Sequence, residues 1–408
     1  MNYSLRRQKL YSLLKDEGVL FLSSGFEINR SADDNYPFSV NRNFYYLTGI
    51  NQQDSFLLVD LKTKKETLYI LDNDEKLARW IGYFLTHDEA KSISSIENIS
   101  SSSNLDKVYQ EVFSNDVVYL DLEKHSELGG LNYGSYFTYI GEKINPNIEF
   151  FDVYGSIISL RAVKDEDEIK EIRNAINVTR LSLEAVMRKL PSLKNEKEVQ
   201  ALFEERILSL GGATPSFTTI AGNGKNAATL HYHANNCDFE ENSCILLDLG
   251  ARTNMYNADI TRVYPTKGKF NDLQKTIYNI VLDANKKVFE KAAPGVSLNE
   301  LQELTIKTLA EGCLKAGLIQ TFDEIHNYYF HRISHHLGLD VHDPMPRDSI
   351  LEVNNIITNE PGLYFENLHF GVRIEDDLLI TSTGAENLSK DIIKEIDEIE
   401  DYMNNHQE

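Results

Sequence analysis

The sequence predicts two domains. The first is of α/β type, and the second is an α+β domain in which a pair of helices followed by a β-hairpin occurs twice. Three observations carry this reading. Up to about residue 155, short apolar runs alternate with helix-like stretches. From about residue 164, amphipathic stretches with start and stop signals come in pairs. After each pair come two apolar strands joined by a polar turn, and each such hairpin carries two carboxylates. At 408 residues the chain has ample core for two or three domains.

In the first domain, strands are expected at Val19–Leu22, Phe56–Val59, Thr67–Leu71 and Val117–Leu120, with helices over Leu5–Leu14, Asp74–Phe84 and Leu105–Phe113. The boundary falls near Ile157–Val163, which divides the chain into 1–158 and 159–408.

The second domain opens with Lys164-Asp165-Glu166-Asp167-Glu168. Acids in a first helical turn are favoured by the helix dipole. Ile169, Ile172 and Ile176 keep one apolar face, and Pro191 follows the end. A second helix runs from Glu198 to Leu210, stopped by Gly211-Gly212. The first hairpin has arms Cys244–Gly250 and Asn257–Val263. Leu273, Ile277, Ile280, Val281, Ala284 and Val288 line a third helix, and Ser297-Leu298-Asn299-Glu300 has the form of a capping box for a fourth. The second hairpin has arms Ile356–Gly362 and Gly371–Asp376, and the acidic tail after Lys390 reads as a solvated helix.

The hairpins carry the chemistry. Folding the first between Thr253 and Asn254 sets Asp248 opposite Asp259. Folding the second between Asn367 and Leu368 sets Glu360 opposite Glu375. Opposed residues of an antiparallel pair have Cβ atoms about 5 Å apart, and like charges so placed destabilise a sheet. Buried carboxylates are costly unless paired or bound to metal. Two such pairs call for a cation. Between the hairpins lies Phe330-His331-Arg332-Ile333-Ser334-His335-His336-Leu337-Gly338-Leu339-Asp340-Val341-His342-Asp343, which holds four of the chain's 11 histidines. Histidine beside carboxylates suits Mn, Fe, Co or Zn, and a carboxylate-rich set leans to the harder ions.

Composition narrows the partners. The formal charge is −22, and no basic patch stands out, so nucleic acid and anionic membrane are poor partners. No run approaches the ~20 apolar residues of a spanning helix, and Val19–Leu22 is too short for a signal-peptide core. Three cysteines, odd in number and without a CxxC, fit a reduced cytoplasmic setting.

The order Asp, Asp, His, Glu, Glu in these contexts resembles the pita-bread metallopeptidases, and within them the aminopeptidase P (Xaa-Pro aminopeptidase) branch, with prolidase close behind. The matching strings are Leu230-His231-Tyr232, Asp248-Leu249-Gly250, Ala258-Asp259-Ile260-Thr261-Arg262, Ser334 to Asp343, Glu360-Pro361-Gly362-Leu363-Tyr364 and Val372-Arg373-Ile374-Glu375-Asp376-Asp377. In the first domain, Arg30 to Phe38 and Asn43 to Gly49 are similar to the aminopeptidase P amino-terminal domain. The resemblance implies a creatinase-like amino-terminal domain and a pita-bread catalytic domain with pseudo-two-fold symmetry.

It also implies a function. The chain would be a metal-dependent exopeptidase that cleaves between a first residue and a following proline, by a hydroxide bridging two divalent ions, most often Mn. Asp248, Asp259, His335, Glu360 and Glu375 would be the ligands, with Asp259 and Glu375 shared and Glu360 handling protons. His231 and His342 would donate to the tetrahedral intermediate, and His331 would stand behind the ligands or face substrate. Arg373 would pair with an acidic ligand or with Asp33, whose family counterpart reaches toward the catalytic domain. Phe217 and Tyr364 would wall the proline pocket. His233 and His336 have no counterpart and read as structural or incidental. Trp80 resembles a tryptophan that borders a neighbouring subunit's site in a dimer or tetramer, against the alternative of a core tryptophan. Arg332 stands where the family commonly has glycine. A dipeptide-only prolidase is the near alternative, while a metal-free creatinase-like hydrolase or a dead-scaffold binding protein is disfavoured by the full ligand set.

Overall fold

The structure is a computed structural model and describes residues 1–123, 133–211, 213–346 and 350–406. The chain divides into two compact units, Met1–Arg161 and Ala162–Glu408.

The strands of the first unit are β1 (Val19–Ser23), β2 (Asn29–Ser31), β3 (Asp34–Asn35), β4 (Phe56–Asp60), β5 (Lys65–Ile70), β6 (Ile99–Ser101), β7 (Val117–Leu120) and β8 (Glu149–Asp152). Six of them form one mixed sheet in the order β6-β5-β4-β1-β7-β8. The helices are α1 (Tyr3–Tyr11), α2 (Arg42–Thr48), α3 (Glu75–Ile81), α4 (His87–Ser94), α5 (Leu105–Phe113) and α6 (Tyr133–Ile144), followed by α7 (Tyr154–Ala162) at the end of the unit. The core on one sheet face is aromatic. Phe21 stacks on Phe56 and meets Phe113 and Phe137 edge-on, with centroids 5.2–5.8 Å apart. All four expected strands and all three expected helices are present. The short elements β6, α2 and α4 escaped the sequence because three to eight residues carry little periodicity. Trp80 lies at the end of α3 and is 87% exposed, so the core alternative for it is wrong.

The second unit begins with α8 (Glu166–Lys189) and α9 (Glu196–Ser209). Asp165 caps α8 in a reciprocal capping box with Glu168, and Ile169, Ile172 and Ile176 are buried as the spacing requires. α9 ends before Gly211, at φ +113°; the expected stop at Gly212 lies outside the described residues. Then follow β9 (Thr214–Pro215), β10 (Ile220–Asn223), β11 (Cys244–Leu249), β12 (Ala251–Thr253), β13 (Tyr256–Asn257) and β14 (Ile260–Pro265). The second half is α10 (Asp272–Lys291), α11 (Leu298–Lys315), β15 (Ile356–Asn359), β16 (Gly362–Phe365), β17 (Phe370–Arg373), β18 (Asp376–Thr381), β19 (Gly384–Asn387) and α12 (Ile396–Asn405). Helix pair, hairpin, helix pair, hairpin is the expected plan. Ser297 and Glu300 form the expected capping box.

Two expectations fail locally. Leu273 is exposed, because α10 turns its buried face through Ile277, Val281, Ala284 and Val288. The tail helix α12 is not solvated all round. Ile396, Ile399 and Met403 are buried, and Tyr402 accepts a hydrogen bond from Arg188 on α8 at 2.7 Å. Among the described residues no helix is long and apolar enough to cross a membrane.

Candidate metal centre

Asp259, Glu360 and Glu375 lie where the hairpin ladders are interrupted, and Asp248 lies inside one of them. In the second, Asn359 pairs with Asp376 and Gly362 with Arg373. The same register on both sides of the break sets Glu360 opposite Glu375, as the sequence predicts. In the first, Asp248 pairs with Thr261 rather than facing Asp259. The turn is the reason. Asn254 and Met255 both have positive φ (+46° and +73°) between paired Thr253 and Tyr256. That is a two-residue turn of the kind that matches strand twist, and it sits one residue later than expected. The register moves by two, so Asp248 and Asp259 share a face as diagonal neighbours. Gly250 makes the bend between them possible, since a Cβ there would lie 1.8 Å from the Ala258 carbonyl oxygen.

The hairpins meet at Thr261. The Glu375 N–H donates to the Thr261 carbonyl at 3.1 Å, and the Thr261 hydroxyl donates to Glu375 Oε2 at 2.6 Å. Arg262 braces the joint from behind: its guanidinium donates to the Glu375 carbonyl at 2.6 Å and to Asp376 Oδ1 at 2.7 Å. Asn285 of α10 donates to the carbonyls of Asn359 and Ile374 at 3.2 and 3.1 Å, holding the second hairpin at its break.

His335 comes from the irregular segment that runs beside β15. Its backbone N–H donates to Thr358 Oγ1 at 3.2 Å, and its carbonyl accepts from the Thr358 N–H at 2.9 Å. Its Nδ1 faces the His336 carbonyl at 2.9 Å and therefore carries the proton. That leaves Nε2 as a lone-pair donor, 3.4 Å from Asp259 Oδ2 and 3.6 Å from Glu360 Oε1. Ligand atoms of Asp259, His335 and Glu375 all lie within 4.8 Å of one another.

The electrostatics are those of a site built around positive charge. Burial first, then Asp248 and Asp377, holds the Asp259 carboxyl well above the usual carboxylate range. Burial, Asp259 and Glu360 do the same to Glu375, and burial raises Glu360. Arg373 is the buried counter-charge. It donates to Asp248 Oδ2 at 2.5 Å, to Thr261 Oγ1 at 2.9 Å and to the Tyr364 hydroxyl at 2.9 Å. One cation does not balance four carboxylates. Asp248 Oδ1 is buried with no hydrogen-bond partner, an atom that a bound cation would satisfy. Four carboxylates and one imidazole are a donor set suited to divalent ions of the Mn, Fe, Co and Zn group.

These residues line a cavity of about 600 Å³. His231, His331, His342, Phe217 and Arg373 line it as well, and so does Arg332. Burial and the facing His335 and His231 push the His342 imidazole down to about 4. His331 is brought down to about 3, by burial and by Arg373. Its Nδ1 faces the Arg332 carbonyl at 2.8 Å and its Nε2 faces the Tyr364 hydroxyl at 2.8 Å. The chain of bonds therefore runs from Arg373 to Tyr364 to His331.

Two placements differ from expectation. Tyr364 is buried behind the cavity wall, tying His331 to Arg373, and is not one of the residues that line the cavity. His233, read as structural or incidental, lines the cavity with its ring 6.1 Å from that of His231. The His-x-His spacing was the available signal. Asp33 lies in the exposed turn between β2 and β3 of the first unit.

The model of metallopeptidase family M24 matches residues 170–382, more than half of the chain. The chain belongs to metallopeptidase family M24. This M24 chain also matches the aminopeptidase P amino-terminal domain over residues 3–119. It is 30% identical to the Xaa-Pro aminopeptidase of Escherichia coli, over 98% of this chain and 97% of that protein. A Bacillus anthracis structure described as a candidate aminopeptidase P is similar with a TM-score of 0.95 at 38% identity, covering 100% of this chain and 98% of that one. The E. coli aminopeptidase P structure with the inhibitor Pro-Leu gives 0.90 at 29%, covering 99% and 98%. The M24 chain thus has the aminopeptidase P architecture, an amino-terminal domain of that type and a pita-bread catalytic domain. It is a hydrolase of the metallopeptidase class and requires divalent metal.

Proposed function

We propose that this M24 peptidase is an Xaa-Pro aminopeptidase, removing an amino-terminal residue that precedes proline. The observation that carries the reading is the single cavity that gathers Asp248, Asp259, His335, Glu360 and Glu375 beside His231 and His342. Asp259 and Glu375 would be shared by two ions, Asp248 would complete one, and His335 with Glu360 the other. Manganese is the ion this oxygen-rich set favours. When bound, such ions would supply Lewis-acid polarisation of a carbonyl and a water acidic enough to ionise at neutral pH.

The chain's own groups do the rest. His231 and His342 donate to the oxygen that gains charge in the transition state; His342 is neutral at pH 7 and keeps a ring N–H for this. Glu360 Oε1 accepts from the Thr358 hydroxyl at 3.2 Å, so Oε2 is the atom that takes the water's proton and delivers it to the prolyl nitrogen. Arg373 and Tyr364 hold Asp248 and His331 in place. Phe217 gives the proline ring an apolar wall. An Xaa-Pro bond has no N–H and a fixed φ, so a site that reads ring shape loses nothing by the missing donor.

The partners follow from the same reading: peptides with proline second, and a second copy of this chain. Leu77, Trp80, Ile81 and Tyr83, all exposed, support a homo-oligomer, and three free cysteines support a reducing cytoplasm.

The test is an assay of Mn-loaded protein on Xaa-Pro, Xaa-Pro-Xaa and matched Xaa-Ala-Xaa peptides. Cleavage of the tripeptides with proline, at least as fast as of dipeptides, is expected. Cleavage of dipeptides alone would make it a prolidase, and equal cleavage of the alanine series would remove the proline reading.

A further inference from the structure

His231 and His233 project into the cavity from the segment between β10 and β11, and among the described residues neither ring makes a hydrogen bond. An exposed imidazole with no hydrogen bond is aimed chiefly by the backbone that carries it. Among the side chains that hold that backbone, one bonds on both sides of the two histidines. Glu196 is the first residue of α9 and is fully buried. Its Oε1 accepts from the Asn223 N–H at 2.8 Å and from Asn226 Nδ2 at 2.9 Å. Its Oε2 accepts from the Tyr232 hydroxyl at 2.9 Å and from the Cys237 N–H at 2.9 Å. Four donors fill the four acceptor sites of a carboxylate, and all four come from the segment 223–237. They bracket both histidines, and Tyr232 lies between them.

The rest of the anchorage serves the same end. The Glu196 N–H donates to the Cys237 carbonyl at 3.1 Å, and the Phe239 N–H to that of Lys194 at 2.8 Å. Asn235, buried at φ +43°, donates to the Thr219 carbonyl at 2.7 Å and accepts from the Ala221 N–H at 2.9 Å. A carboxylate at a helix amino terminus, where backbone dipoles favour negative charge, thus closes a loop whose free side chains face the reaction cavity. We propose that Glu196 is a positioning residue for catalysis, acting through His231, and that the segment 223–237 is a rigid arm rather than a mobile flap. This rests on the role assigned to His231 in the proposed function.

The experiment is a double-mutant cycle on the Mn-loaded, full-length protein. In Glu196→Gln, the amide NH₂ meets donors where the carboxylate met them as an acceptor. About a tenfold fall in kcat is expected with KM nearly unchanged, because His231 acts on the transition state. In a His231→Ala background, which loses its own factor of about 10²–10³, the same substitution should cost less than about twofold. Tyr232→Phe, which removes one donor of four and leaves the buried carboxylate bonded, should show a smaller loss with the same dependence on His231. Metal content, measured on every variant, should hold. A second readout does not depend on activity: amide hydrogen exchange over 223–237 should quicken in Glu196→Gln while that of the hairpin carboxylates' strands does not. An equal factor in both backgrounds, loss of metal together with activity, or unchanged exchange over 223–237 would each overturn the proposal. Failure of the wild type to cleave Xaa-Pro bonds would overturn the substrate reading instead, and the exchange result would still decide whether Glu196 holds the arm.

Discussion

Asp259 is 5% exposed, has His335 Nε2 at 3.4 Å, and carries a carboxyl that burial and Asp248 raise well above its usual range. A carboxylate so placed is unstable alone and stable beside a cation. Asp259→Asn should therefore lower metal occupancy and remove most activity, read by elemental analysis beside kinetics. A variant with full metal content and normal turnover would remove the shared-ligand assignment. The same shifts fix a dependence on pH. Asp259, Glu360 and Glu375 have folded-state values above the unfolded value of about 4. Between those values the metal-free fold binds more protons than the unfolded chain, so its stability rises as pH falls through the raised values and levels off below about 4. Metal must displace those protons and binds more weakly as they add. The gap in Tm between metal-loaded and metal-free protein should narrow from pH 8 to pH 5. A gap constant over that range would mean that these carboxylates are ionised without metal.

The hairpins show what could be read from sequence and what could not. The second was legible to the residue, because its arms are apolar and a single register runs through both of its ladders. The first was misread by two positions. Asn254 at positive φ is a common turn residue, but Met255 at +73° is not, and no side-chain pattern announces it. The carboxylates were found all the same, since a shift of two keeps every side chain on its face. What the sequence hid was the bracing. Arg262 is fully buried against Asp376 and the Ile392 carbonyl, and Lys394 closes on the other oxygen of Asp376. Burial works against ionising Asp376, yet Arg262 and Lys394 hold its carboxyl down to about 2. Arg262→Met leaves a buried carboxylate with one partner where it had two. A loss of about 3 kcal/mol in unfolding free energy is expected, the lower end for breaking a buried pair. Denaturant melts measure it, and a loss below about 1 kcal/mol would show that Lys394 alone suffices.

At the scale of the whole molecule, α/β followed by twice-repeated helix pair and hairpin was legible because long periodic stretches and capping boxes speak for themselves. The amphipathic face of α12 was not, since its three buried residues lie among acids. Asp33 is the catalytic candidate that the sequence offers in the amino-terminal domain. If that residue serves catalysis, Asp33→Ala should weaken kcat/KM on Xaa-Pro-Xaa by about 1–3 kcal/mol, the scale of a charge-assisted hydrogen bond, with metal content intact. Unchanged kinetics would leave Asp33 a turn residue of its own hairpin.

The joint at Thr261 has a consequence for how the protein comes into being. Thr261 bonds Glu375 across 114 positions of chain, and Arg373 bonds Asp248 across 125. During synthesis the first hairpin waits for most of the second domain to emerge, its acids exposed and unmatched. At about 5–20 residues per second, that interval lasts roughly 6–23 seconds. The centre can close only once residue 375 is free. Metal capture by a nascent chain therefore waits for both hairpins, and uptake timed against chain length would rise in one step after residue 375 rather than in two, one per hairpin.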